Sequence, residues 1–169
     1  GVMKRFSRQQ DIPDSECHKH TFHPCVIPQW KQLVQNLKGA SLRKQLVDIN
    51  NWSNAHPYIV DQLNWGIIDY WGTPYEFMAV NGDCEDYAIS KYYSLRAMGI
   101  PAENMRIIIL QDLNLGGIIH AVLGVYDGDT LWILDNQIKQ VRDAMRIYHY
   151  RPIYGANEDM WWRYYPKNK

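Results

Sequence analysis

The chain has 169 residues, 46% of them hydrophobic and 21% charged, with 18 Lys+Arg against 18 Asp+Glu. That length fits one domain, or one domain with a modest appendage, and 7 Trp, 12 Tyr and 3 Phe exclude a disordered chain. Zero net charge argues against a nucleic-acid or anionic-membrane binder, which needs a basic surplus to displace counterions. The apolar runs, such as Ile107-Ile108-Ile109-Leu110, are far too short to span a bilayer.

The start, Gly1-Val2-Met3-Lys4-Arg5, does not lead into an apolar signal core, which leaves a cytosolic protein or one given without its leader. Residues 1–28 read as an irregular N-terminal extension, with Pro13, Pro24 and Pro28 and no sustained period. Within it Cys17 and Cys25 bracket His18, His20 and His23. A disulfide is favoured there over a metal site, whose ligand spacing does not match, and over two free thiols.

Residues 29–169 read as the core of a single domain. Trp30, Leu33, Val34 and Leu37, then Leu42, Leu46, Val47 and Ile49, recur at spacings of three and four and predict two helices broken at Gly39. Tyr58 to Trp71 reads as a further helix or an irregular packed segment, ending at Gly72-Thr73-Pro74. A turn at Val80-Asn81-Gly82-Asp83 leads into a helix from Cys84 to Met98, with Ala88, Tyr92 and Leu95 on its buried stripe. Strands are expected at Met105–Leu110, Ile118–Tyr126 and Thr130–Leu134. The aromatic tail from Tyr148 to Tyr165 reads as surface wrapping. Helices first and a small antiparallel sheet afterwards give an α+β fold.

Taking Asp127 and Gly128 as the central residues of a tight hairpin sets Val125 opposite Thr130 and His120 opposite Asp135. Opposed residues share a face, with Cβ atoms about 4.5–5.5 Å apart, so the carboxylate could hold the imidazole. Cys84 opens a helix, where unpaired backbone N–H groups favour a thiolate and can bind an oxyanion. A Cys, a His and an Asp so placed are the parts of an acyl-transfer site. Asp83, Glu85 and Asp86 crowd the same turn. Their charge would raise the thiol pKa, and such hard oxygens suit calcium. Helix capping is the plainer explanation for one or two of them.

The blocks Gly82-Asp83-Cys84-Glu85-Asp86-Tyr87-Ala88, His120-Ala121-Val122-Leu123 and Ile133-Leu134-Asp135-Asn136 resemble the signature blocks of the bacterial transglutaminase-like cysteine proteinases, in particular the LapG-type periplasmic proteases. The resemblance extends through Asp69-Tyr70-Trp71-Gly72-Thr73-Pro74 and covers roughly residues 50 to 162. It implies a papain/transglutaminase-like α+β core. Cys84 would be the nucleophile, His120 the general base and acid, and Asp135 the group orienting His120. Asp83 and Glu85 match calcium positions, with Asp86 a further ligand. The implied substrate is a large surface adhesin cut near its N-terminus. The implied partner is an inner-membrane cyclic di-GMP receptor that holds the protease inactive, and the implied location is the periplasm, with no direct membrane insertion. Residues 1–28 match nothing in that pattern. A transglutaminase or deamidase would share the thioester chemistry, and an inactive protein-binding module would use the Trp/Tyr-rich surface instead.

Overall fold

A computed structural model describes residues 1–15 and 26–165. Cys17, Cys25 and the three histidines between them lie outside the described residues. Among the described residues six α-helices precede a six-stranded sheet. The helices are α1 (Val2–Gln10), α2 (Ile27–Leu37), α3 (Leu42–Asn54), a single turn α4 (Asp61–Asn64), α5 (Pro74–Val80) and α6 (Cys84–Ala97). The strands are β1 (Met105–Asp112), β2 (Ile118–Asp127), β3 (Thr130–Leu134), β4 (Arg142–Asp143), β5 (Tyr150–Ala156) and β6 (Trp161–Arg163), all paired antiparallel in the order β4-β3-β2-β1-β5-β6.

The irregular reading of residues 1–28 fails at the start of the chain, where Val2–Gln10 forms a helix. Its Phe6 is buried against the edge of Tyr75 at 5.4 Å. The tail is also more ordered than expected, because β5 pairs with β1 along its length and β6 extends the sheet. Its aromatics alternate with Pro152 and Gly155 and so gave no clean period. Helix α5 falls in a stretch the periodicity left unassigned. It carries a capping box, in which Thr73 Oγ1 accepts from the Glu76 amide at 3.1 Å and Glu76 accepts from the Thr73 amide at 2.8 Å.

Helix α6 is buried on nearly all sides, between α3 and α5 on one flank and β2 on the other. That is why polar Glu85, Asp86, Ser90, Lys91 and Ser94 are buried along with Ala88, Tyr92 and Leu95. On the helix-covered face of the sheet Ile107, Leu123, Val125 and Leu134 join Ile27, Trp30 and Leu46 in the main core. The opposite face carries a smaller cluster around Ile108, Leu110, Val122, Ile133 and Tyr150.

The β2–β3 register differs from the expected one by two residues. Asp127 pairs with Thr130 and Val125 with Trp132, so the central turn residues are Gly128 and Asp129. Gly128 has φ +57, as the first central position of a type II′ turn requires. A two-residue shift leaves every side chain on its expected face, since the strand period is two. His120 and Asp135 are therefore not cross-strand partners. The ladder ends at Leu123–Leu134, and Asp135 stands one residue beyond it.

Candidate active site

Strand β2 presents His120 at a position 1% exposed, beside the first residue after β3. His120 Nε2 lies 2.9 Å from Asp135 Oδ1, so the pair forms despite the register shift. What aims Asp135 is the turn that follows it. The Gln137 amide donates to Asp135 Oδ1 at 2.9 Å, the Tyr150 hydroxyl donates to Oδ2, and Asn54 Nδ2 holds the Asp135 carbonyl at 2.7 Å. Burial opposes ionisation of Asp135, but the hydrogen bonds and charge of His120, with Tyr150 and Gln137, hold its carboxyl below the ordinary value.

An ionised Asp135 makes Nε2 the protonated nitrogen of a neutral His120. The lone pair is then left on Nδ1, which lies 3.4 Å from the Gln137 side-chain nitrogen.

Cys84 occupies the first position of α6, after the N-cap residue Asp83. It is half-buried and, among the described residues, the free cysteine. Its Sγ donates to Glu85 Oε2 at 3.2 Å rather than to the imidazole. Burial pushes the thiol well up from its ordinary value, and the Glu85 and Asp83 charges push it further. The amide of Ala121, next to His120, acts the other way by hydrogen-bonding the sulfur. Cys84 and His120 line one cleft of about 340 Å³, whose walls include Tyr58, Trp71, Ile119 and Tyr154.

The carboxylates beside Cys84 gather more tightly than the sequence indicates. Asp61, Asp83 and Asp86 can place one oxygen each within 4.8 Å of one another; so can Asp61, Asp69 and Glu85. Asp61 was not singled out from the sequence. It lies 22 residues before Asp83 and reaches it through the bridge between Tyr58 and Gly82, where the Ile59 amide donates to the Gly82 carbonyl at 2.9 Å. No local spacing announces such a contact. Gln137 and Tyr150 were missed for the same reason.

Burial, with the nearby Asp83 charge, pushes the Glu85 carboxyl up to about 8. Burial, opposed by the Gly72 amide and reinforced by Asp83 and Asp61, does the same to Asp86. Among the described residues Asp61 Oδ1 and Asp83 Oδ1 are buried without a hydrogen-bond partner. Buried carboxylate oxygens left unpaired and crowded among like charges are costly unless a cation takes them up. A third grouping, Asp83, Cys84 and Glu85, includes the thiol sulfur, but the two sets that Asp61 joins are entirely hard oxygen, the chemistry calcium prefers. The residues present therefore fit a calcium ion.

Helices leading into an antiparallel sheet, with a thiol at a helix start sharing a cleft with a strand histidine held by a carboxylate just past the next strand, define a papain/transglutaminase-like cysteine peptidase. Within that class the chain belongs to the bacterial transglutaminase-like cysteine proteinases, whose family model matches residues 14–167. The solved structure of Legionella pneumophila LapG is similar at TM-score 0.76 and 29% identity, covering 96% of this chain and 85% of that one. Its calcium-bound form gives the same TM-score and identity, with 96% and 87% covered. The EGTA-treated form gives 0.77 at 28% identity, with 100% and 88% covered. No curated protein matches the chain.

Proposed function

We propose that the chain is a calcium-dependent cysteine endopeptidase in which Cys84 is the nucleophile, His120 the general base and acid, and Asp135 the residue orienting His120. The observation that carries this reading is the buried His120 Nε2–Asp135 Oδ1 contact of 2.9 Å at the cleft that also holds Cys84. With Nε2 engaged, Nδ1 takes the thiol proton as sulfur attacks the scissile carbonyl. The Cys84 amide, in the first turn of α6 and without an intrahelical partner, faces the developing oxyanion. The amine departs with the proton held on Nδ1. Water then attacks the thioester, giving its proton to His120, and the thiol is restored.

Asp83, Glu85 and Asp86, joined by Asp61, would hold calcium. The ion would offset the carboxylate charge that disfavours the thiolate and engages the Cys84 thiol through Glu85. The likeness to LapG in calcium-bound and EGTA-treated forms supports that assignment. On the resemblance of the blocks around Cys84, His120 and Asp135 to those of LapG-type proteases, we propose as substrate a large surface adhesin cut near its N-terminus, as location the periplasm, and as regulator an inner-membrane cyclic di-GMP receptor. No helix of the described residues is long and apolar enough to cross a membrane.

Site-resolved iodoacetamide labelling of the native protein, with calcium and with chelator, tests the reading. Selective alkylation of Cys84 that slows on chelation, together with loss of substrate cleavage in a folded Cys84→Ala variant, is the expected result. Equal, slow labelling under both conditions, or cleavage that survives Cys84→Ala, would overturn it.

A further inference from the structure

Residues 69–73 form a strap whose alternate backbone groups are held from opposite edges. On one edge the Tyr70 amide donates to Asp61 Oδ2, and the Gly72 amide donates to Asp86 Oδ1 at 2.6 Å. These are two of the proposed calcium ligands. On the other edge the Trp71 carbonyl accepts from Arg5 Nη2 at 2.5 Å. The side chains of Asp69 and Trp71 line the catalytic cleft and are hydrogen-bonded to each other at 3.1 Å. One short segment thus touches both the acidic cluster and the cleft.

Arg5 belongs to α1, far from this segment in sequence, and its guanidinium is shared between the Trp71 carbonyl and Glu76. Arg5 Nε reaches Glu76 Oε1 at 3.1 Å, and Nη2 reaches Oε2 at 3.2 Å. Glu76 in turn accepts from the Thr73 amide at 2.8 Å, from Gln9 at 3.0 Å and from the Tyr70 hydroxyl at 3.3 Å. The Arg5 guanidinium also lies 4.8 Å from the Tyr70 ring centroid. A planar, bidentate cation on a carboxylate that is 2% exposed fixes direction as well as distance. Apart from Arg5 and Gln9 of α1, what Glu76 holds is the strap or the cap that ends it.

We infer that Arg5 is a positioning residue for the calcium site, acting through Glu76 and the Trp71 carbonyl to hold the strap amides against Asp61 and Asp86. The inference rests on the calcium reading given above. It assigns α1 a part in the site. With Arg5 in place, the strap amides orient Asp61 and Asp86 before any cation arrives, so little ordering remains to be done on binding. Without it, the strap keeps its Glu76 contacts at Tyr70 and Thr73 and loses the hold on the Trp71 carbonyl between them.

The test is titration calorimetry of the full chain with calcium alone, comparing wild type, Arg5→Ala, Arg5→Lys and Leu37→Ala. Leu37 is a buried core residue on α2 outside this network and serves as a variant that is destabilised only. Arg5→Ala is expected to weaken calcium binding roughly tenfold, about 1.4 kcal/mol. It should also shrink the calcium-induced rise in melting temperature. Arg5→Lys, a point charge that cannot span both partners, is expected to lose most of the same affinity, and it carries the test should the alanine variant fail to fold. Leu37→Ala should melt lower and bind calcium as wild type does. Unchanged affinity in the Arg5 variants, or equal weakening in Leu37→Ala, would overturn the inference and leave the calcium reading standing. A wild-type chain that takes up no calcium would remove both, a failure visible before any variant is compared.

Discussion

A Cβ added at Gly82 would sit 2.1 Å from Asp86 Oδ2, and one added at Gly72 would sit 2.9 Å from Asp86 Oδ1. The two glycines form a slot around a carboxylate that is 1% exposed and whose Oδ1 accepts the Gly72 amide. Gly82→Ala must push Asp86 off its position, since the clash reaches its Cβ and Cγ as well as its oxygen. Overpacking of this kind costs about 1–3 kcal/mol. The variant is expected to unfold at lower denaturant than wild type and to bind calcium more weakly by calorimetry.

The metal-free protein should lose stability as pH rises from about 4 to 8. Burial pushes the Glu85 and Asp86 carboxyls up to about 8, while in the unfolded chain such groups ionise near 4. Between those values the folded state keeps protons that the unfolded state has released, so raising pH favours unfolding, by at most about 1.4 kcal/mol per group and pH unit. Saturating calcium, which requires the ionised forms, should flatten or reverse the slope. Denaturant melts across that range with and without chelator measure it.

Tyr150→Phe removes the hydroxyl that donates to Asp135 Oδ2 and leaves a buried acceptor with one donor fewer. A hydrogen bond to a charged group contributes about 1.5–3 kcal/mol, and the variant should fall in stability by that order. Asp135 holds a lowered carboxyl, so its contribution is complete above the unfolded value near 4 and is lost as pH falls through the native one. In the variant that loss should begin at higher pH. Cys84 alkylation should slow in Asp135→Asn by tenfold or more, because the amide no longer fixes the His120 tautomer. An unchanged rate there would count against the triad.

Lys91 is fully buried on α6, seven residues after Cys84, and its ammonium has no hydrogen-bond partner among the described residues; it lies 5.7 Å from the Tyr87 ring centroid. Burial pushes it down to about 7, against the attraction of Asp135. The unfolded chain holds that proton up to about pH 10, so the Lys91 contribution should rise as pH climbs from about 7, opposing the two carboxyls up to about pH 8 and raising wild-type stability above it. Lys91→Met keeps the length without the charge. It is expected to be more stable than wild type at pH 7 and below, with no such rise above it, in parallel denaturant melts.

Much of the scaffold was legible because it follows local periodicity. Helices α2 and α3 break around Gly39 as their apolar spacing requires, α6 begins at Cys84 after its Gly-Asp turn, and β3 spans Thr130–Leu134 as read. The buried stripe Ala88, Tyr92, Leu95 was legible too. The buried polar residues around that stripe were not, since a helix packed on several sides shows no single apolar face.

Sequence by itself determined which residues could do chemistry: a thiol at a helix start, a histidine within a strand, an aspartate just past the next one and acids beside the thiol. Residue type and neighbour spacing carry that information. Only the tertiary structure decided how they meet. The hairpin turns at Gly128-Asp129, one residue later than its Asp-Gly signal suggests, which shifts the register by two, so His120 finds Asp135 beyond the ladder, where Gln137 and Tyr150 hold it, and not across it. Asp61 joins Asp83 and Asp86, and Arg5 reaches Trp71, through chain segments 22 and 66 residues apart. Contacts between distant segments depend on how whole elements pack, and no local pattern in the chain encodes them.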